Sequence, residues 1–231
     1  PWDPQRLSNV NDLCVDKSGS LWVMDTNDQP RRTIQFKTDG TFVQELLGNT
    51  HYGGGGTLNR YDLSRAFLGR VEFDVDWENR SARIRNVLAG RIYGEDLLPI
   101  RIKDRQYLTT APLSYRAEQS FGVVYVYDET HGTARMAAAF GEALHFEPMF
   151  QPEIVSAMKG KTPQQFQFCW SDLNGNGKVD SAEVKLDEKK QDSNIKLGRF
   201  DSELGCVSGN TLYAVKEFLP DGTPLYETRE L

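Results

Sequence analysis

The sequence predicts an all-β chain of repeated antiparallel sheets. Three observations carry this expectation: short segments alternate apolar and polar residues, turn residues separate them at close intervals, and one turn pattern recurs three times. Helical periodicity is scarce throughout.

The first forty residues set the pattern. Segments 12–16, 21–25, 33–36 and 42–47 read as strands, joined through Gly19, the stretch 28–30 with Pro30, and Asp39-Gly40. Four short strands with turn signals between them predict one antiparallel sheet over residues 12–47. Next, 71–77 and 82–87 form a hairpin around Glu78-Asn79-Arg80. There Asp74, Asp76 and Glu78 project from one face and Arg83 and Arg85 pair with them across the strands. Residues 166–170 and 183–186 form a further hairpin. The turns "FKTDGT", "YDETHGT" and "FLPDGT" follow aromatic strands, and their glycines Gly40, Gly132 and Gly222 stand 92 and 90 residues apart. Repeated four-stranded units of ~40–50 residues signal a β-propeller. The expectation is a single propeller-like domain or segment of about three to four blades, with Trp22, Trp77, Trp170, Tyr125 and Tyr127 packing between them.

Residues 9–48, "NVNDLCVDKSGSLWVMDTNDQPRRTIQFKTDGTFVQELLG", resemble an NHL repeat. Val15-Asp16, Gly19, Trp22 to Thr26, Arg32, Ile34, Phe36, Asp39-Gly40 and Phe42 match its pattern, and a Pro-bearing tract at 28–31 departs from it. The likeness is partial near 120–141 and 205–226. Propeller blades joined to an inserted calcium loop are similar to large secreted bacterial proteins. The resemblance implies a binding scaffold, with enzymes such as amidating lyases a minority of the family.

Charge excludes one class of partner. With 33 acidic against 27 basic residues the net charge is −6, and no run of Lys or Arg exceeds two residues, so nucleic acid is not an expected partner. No apolar run approaches the ~18 residues of a membrane span. The start at Pro1 and the end just after a strand-like segment predict further segments of a longer chain. Cys14, Cys169 and Cys206 lack C-x-x-C spacing and read as buried free thiols; one disulfide with one thiol left over is the alternative.

The most specific motif is "DLNGNGKVDSAE", residues 172–183. A calcium loop of the EF-hand type needs oxygen ligands at positions 1, 3 and 5, a carbonyl at 7, a side chain at 9, a bidentate carboxylate at 12 and Gly at 6. Asp172, Asn174, Asn176, Lys178 (through its carbonyl), Asp180 (directly or through water) and Glu183 fill those places, with Gly177 at the turn. An Asn-Gly hairpin turn explains 174–177 but gives no role to Asp172, Asp180 and Glu183. The flanks alternate like strands, so the loop is expected between two strands rather than two helices. With three carboxylates and no entering helix, affinity is expected near ~10⁻⁴–10⁻³ M. Such a site fills outside the cytosol, which points to an extracellular or periplasmic protein. A calcium sensor is disfavoured, since the loop lacks the paired helices whose opening transmits a signal.

Other candidates are modest. His51 precedes a run of glycines, 53–56, that reads as a flexible loop; His131 takes the turn position of Asp39 and Asp221; His145 lies in a Pro-marked loop with Glu147. Residues 187–196 read as a charged, solvated loop. The function expected is a calcium-stabilised binding or scaffold module for a protein, peptide or carbohydrate ligand. The alternative is a propeller hydrolase or lyase with its catalytic residues in the channel loops or outside this segment.

Overall fold

A computed structural model describes residues 6–25, 31–47, 56–94, 97–110, 120–189 and 197–231. The connection at 28–30, His51, the glycines 53–55 and residues 190–196 lie outside the described residues. The described chain is mostly β, in open antiparallel sheets, and divides into two compact units, residues 1–88 and 89–231.

Unit 1 holds two four-stranded sheets. Strands β1 (Val10–Val15), β2 (Leu21–Asp25), β3 (Arg32–Phe36) and β4 (Phe42–Leu47) pair in chain order, as the alternation of residues 12–47 predicts. Cross-strand partners Val23 and Ile34, with Phe36, share one face and form its buried cluster, against which Leu21 and Phe42 pack. Burying a side chain of this size contributes about 1.5–3 kcal/mol. The β1–β2 turn closes on Asp16, whose Oδ1 accepts the Ser18 and Ser20 amides (2.8 and 3.0 Å) and whose Oδ2 accepts the Trp22 indole N–H (2.8 Å). The second sheet comprises β5 (Thr57–Leu58), β6 (Arg65–Leu68), β7 (Val71–Asp76) and β8 (Ser81–Val87). Asp74 accepts from Arg83 and Arg85 at 3.1 Å each, the expected cross-strand pairing. Glu78 differs from expectation: β7 ends at Asp76, so Glu78 sits in the turn and not on the strand face. Trp77 differs too, standing 61% exposed with its indole N–H on the Leu63 carbonyl.

Unit 2 breaks the four-strand rule. Strands β9 (Leu97–Ile102), β10 (Arg105–Thr110), β11 (Phe121–Asp128) and β12 (Thr133–Glu142) make a meander. Strands β13 (Phe166–Ser171) and β14 (Val184–Glu188) then extend it to six. The physical reason lies in β12. Residues Thr133 to Gly141 pair with β11 along one edge, and the buried stretch Ala138 to Glu142 offers the other edge, to which Ser171 to Gln167 bond. The last sheet has three strands, β15 (Cys206–Ser208), β16 (Thr211–Phe218) and β17 (Pro224–Glu230), with Leu197 adding one antiparallel bridge to Ser208. In the three sheets that carry the recurrent x-Gly-Thr turn, that turn joins β3 to β4, β11 to β12, and β16 to β17.

Two layers flank the six-stranded sheet. On one face, Ile100, Tyr107, Val124, Phe140 and Cys169 pack against Leu204, Cys206, Tyr213 and Tyr226, with Phe140 stacked on Tyr213 at 4.4 Å. Two buried phenols in this layer donate to carbonyls, Tyr107 to Gly222 (2.9 Å) and Tyr226 to Leu204 (2.7 Å), which removes the cost of burying their hydroxyls. Side chains alternate along β13, so Phe168 and Trp170 face the other way. There Phe146 stacks on Phe168 at 4.9 Å and meets Phe121 and Tyr93 at 5.1 and 5.0 Å. Phe146 belongs to an excursion between β12 and β13 that contains the one-and-a-half-turn helix α1 (Pro152–Ala157). Lys189 departs from the expected solvated loop, since its ammonium is buried against the Glu142 carboxylate.

Candidate functional site

The loop 172–183 joins β13 to β14, neighbouring antiparallel strands, as the flanking alternation predicts. Trp170 and Val184 are its last paired residues. Trp170 is fully buried, and its indole N–H donates to Glu183 Oε2 at 3.0 Å, so the rigid strand end holds the carboxylate at position 12. A short 3₁₀ turn at Ser181–Glu183 brings that side chain back over the loop.

The six candidate residues are placed as follows. Asp172 is wholly buried; its Oδ1 accepts the Asn176 amide and its Oδ2 the Gly177 amide, both at 3.0 Å. Glu183 Oε1 accepts the amides of Leu173 and Asn174 (3.0 and 3.2 Å). Asn174 and Asn176 converge on Asp180, their side-chain amides lying 2.7 and 3.1 Å from its Oδ2. Asn176 Oδ1 accepts the Lys178 amide at 2.6 Å, while the Lys178 side chain is exposed. Thus positions 3, 5 and 9 are gathered at one point, and positions 1 and 12 brace the loop through its own amides. Among the described residues no three carboxylate, imidazole or thiol groups stand close enough together to hold a metal by themselves.

Gly177 accounts for the shape. Its φ of +70° belongs to the left-handed region, and a Cβ there would lie 3.2 Å from Cγ of Arg135. Position 6 therefore requires glycine twice over, for its backbone and for the approach of a neighbouring side chain. Val179 at position 8 is buried, and its carbonyl accepts the Gln151 side-chain amide at 3.1 Å.

Arg135 and Gln151 are the residues that sequence reasoning missed. Arg135, on β12, donates one guanidinium nitrogen to Asp172 Oδ2 and another to Asp221 Oδ2 (3.0 Å) and Thr223 Oγ1 (3.1 Å). It ties the loop to the β16–β17 turn. Burial pushes the Asp221 carboxyl up, but hydrogen bonds from Thr223 and the Arg135 and Arg105 guanidiniums outweigh it and hold it below the usual carboxylate range. No sequence signal links Arg135 to Asp172, which lies 37 residues away.

Chemically, the loop presents oxygen atoms and neither imidazole nor thiolate. That donor set suits a hard cation such as calcium rather than zinc. The left-handed glycine at position 6 and the gathering of Asn174, Asn176 and Asp180 are compatible with it. Coordination would lean on amide and main-chain oxygens as much as on carboxylates.

The remaining candidates stand apart. His131 is exposed and its ring pairs with Asp128 at 2.7 Å; Asp128, rather than a residue beside the glycine, caps that turn by accepting the Thr130 and His131 amides. His145 is exposed in a 3₁₀ turn. All three cysteines are free; Cys169 and Cys206 are buried and their thiols are pushed up to about 12 by burial, while Cys14 is exposed on β1, against the expectation that all three are buried.

No protein-family model matches the chain, and no curated protein matches it.

Proposed function

We propose that the chain is a calcium-stabilised, extracytoplasmic binding or scaffold module built from propeller-type blades. The loop 172–183 carries the reading: an unbroken sequence of calcium-loop donors is held between two paired strands, with glycine in the left-handed region at position 6. Asp172, Asn174, Asn176, Asp180 and Glu183 would hold the ion through side chains and Lys178 through its carbonyl. Bound calcium supplies positive charge against Asp172, Asp180 and Glu183. The protein's own part is to fix those groups, through Trp170 on Glu183, Arg135 on Asp172 and Gln151 on Val179.

The propeller reading draws support from the meanders of unit 1 and from the placement of the recurrent turn in the other sheets. Strands β13 and β14 then read as an extension that carries the calcium loop. An ion held this way orders two strands; at a Kd of ~10⁻⁴ M and ~2 mM free calcium it contributes about 1.8 kcal/mol, too little for a high-affinity switch.

Thermal melts with calcium, after calcium removal, and for Glu183→Ala provide the test. The parent melts higher with calcium and Glu183→Ala loses that increment. A parent melt indifferent to calcium, with an unchanged melt in the variant, returns the loop to an ordinary turn.

A further inference from the structure

Beside the loop lies a cleft of ≈ 590 Å³, within the range of small-molecule sites. Residues 176–180 of the loop form one wall, and segments around Tyr93 and Gln151 face them. Arg91, Arg135 and Lys178 line it, against the single lining carboxylate of Asp180, in a chain whose net charge is −6.

We propose that this cleft binds a small carboxylated saccharide, of the uronic-acid class, and that calcium in the loop strengthens that binding; the proposal rests on the calcium reading above. Arg91 provides the anion contact. Its guanidinium lies 5.0 Å over the Tyr93 ring and pairs with Glu147, both partners being more than 60% exposed. A solvated ion pair of this kind is weak, so the planar fork is available to a carboxylate, which it matches in geometry. Hydroxyl groups find acceptors at Asp180 and at Gln151, whose amide nitrogen is already committed to Val179 while its oxygen has no such duty. Met136 and Pro148, which also line the cleft, supply apolar surface for a sugar ring.

The sign of the coupling follows from charge. Around the cleft and loop, among the described residues, four cations (Arg91, Arg105, Arg135 and Lys178) stand against five carboxylates, those of Glu147, Asp172, Asp180, Glu183 and Asp221. The carboxylates offset the attraction that the cationic lining has for an anion. A divalent cation in the loop turns that excess of negative charge into an excess of positive charge and fixes the wall that residues 176–180 form, so each ligand favours the other. Linkage makes the effect reciprocal, by a factor of about five or more.

Amide NMR of the whole chain separates the two claims. Gly177 reports calcium, while Tyr93 and Gln151 report the cleft. Galacturonate at millimolar concentration is the probe and galactose its neutral control; calcium is removed by dialysis, because carboxylate chelators would compete. With calcium bound, galacturonate shifts Tyr93 and Gln151 and galactose does not. Without calcium the galacturonate affinity falls about fivefold or more, and Arg91→Gln weakens it with calcium present while leaving the Gly177 response intact. If Gly177 answers calcium but Tyr93 and Gln151 ignore galacturonate, the cleft proposal is overturned and the calcium reading stands. Equal binding of galactose, or an affinity independent of calcium, also overturns it. Silence of Gly177 toward calcium sinks the calcium reading and the coupling with it.

Discussion

Two buried Asp–Arg knots organise this molecule, one in each unit, and they are built alike from different sources. In the first sheet, Asp25 accepts the Ser8 and Asn9 amides (3.2 and 2.9 Å) and the Arg32 guanidinium (3.2 Å); in the loop 172–183, Asp172 accepts the Asn176 and Gly177 amides and the Arg135 guanidinium. Arg32 is Asp25's partner on the adjoining strand, and its side chain is 3% exposed. Arg135 comes from β12, 37 residues before its aspartate, and is 27% exposed. The first knot takes its cation from the same hairpin and its amides from the residues just before β1. The second is completed by a distant strand and shares its arginine with Asp221. A buried carboxylate needs the same donors in both places, but only the second leaves its cation partly in solvent.

Removing the arginines tests that difference most directly. Arg32→Ala takes from the buried Asp25 and from Glu45 the guanidinium they share, at a cost of about 4 kcal/mol in urea unfolding. Each aspartate keeps two amides, so the difference rests on the cation: Arg135 stands partly in solvent, and Arg135→Ala costs about 2 kcal/mol. Added calcium recovers part of the second loss and none of the first. Equal losses in the two variants, or calcium recovery in both, would break the distinction between a self-sufficient knot and one that a cation relieves.

The glycines sharpen it further. Gly40, at φ +84° with nothing within 4 Å of where a Cβ would stand, and Gly177, at φ +70° against Arg135, share a left-handed backbone but differ in surroundings. Alanine at Gly40 costs about 1 kcal/mol, the left-handed penalty alone. At Gly177 the crowding of Arg135 raises this to about 2 kcal/mol. Identical losses would show that Arg135 yields freely.

The smallest expected effect is an acid one, at Asp16 of the first sheet. The Ser18 hydroxyl and the Trp22 indole hold Asp16 down at about 2 against an ordinary 3.8. A depressed carboxyl stabilises the fold above its unfolded pKa and loses that contribution as pH falls through the folded one. The melting temperature therefore declines between about pH 4 and pH 2, and Asp16→Asn flattens that decline. An equally steep decline in the variant would assign the acid sensitivity elsewhere.

Much of the fold was legible in order along the chain. Alternation, Gly19 and Asp39-Gly40 specify the strands of residues 10–47, because the β1–β2 and β3–β4 turns are each capped by a carboxylate within a few residues and each strand pairs with the next. Strand cues likewise placed the loop 172–183 between β13 and β14. The extension of the third sheet to six strands was not legible, since periodicity identifies a strand but not which free edge it joins. Nor was the exposure of Cys14 and Trp77, which depends on what covers a sheet face.

By itself the sequence determined the residues whose partners are near neighbours: the turn residues, and the oxygen-bearing side chains of residues 172–183. Tertiary structure alone decided that Arg135 reaches Asp172 and Asp221, that Gln151 holds Val179, and that a cleft opens beside the loop. The physical reason is range. Backbone preferences and side-chain caps act over a few residues, whereas a buried charge takes whichever counter-charge the packed strands bring to it, however far apart the two lie in the chain.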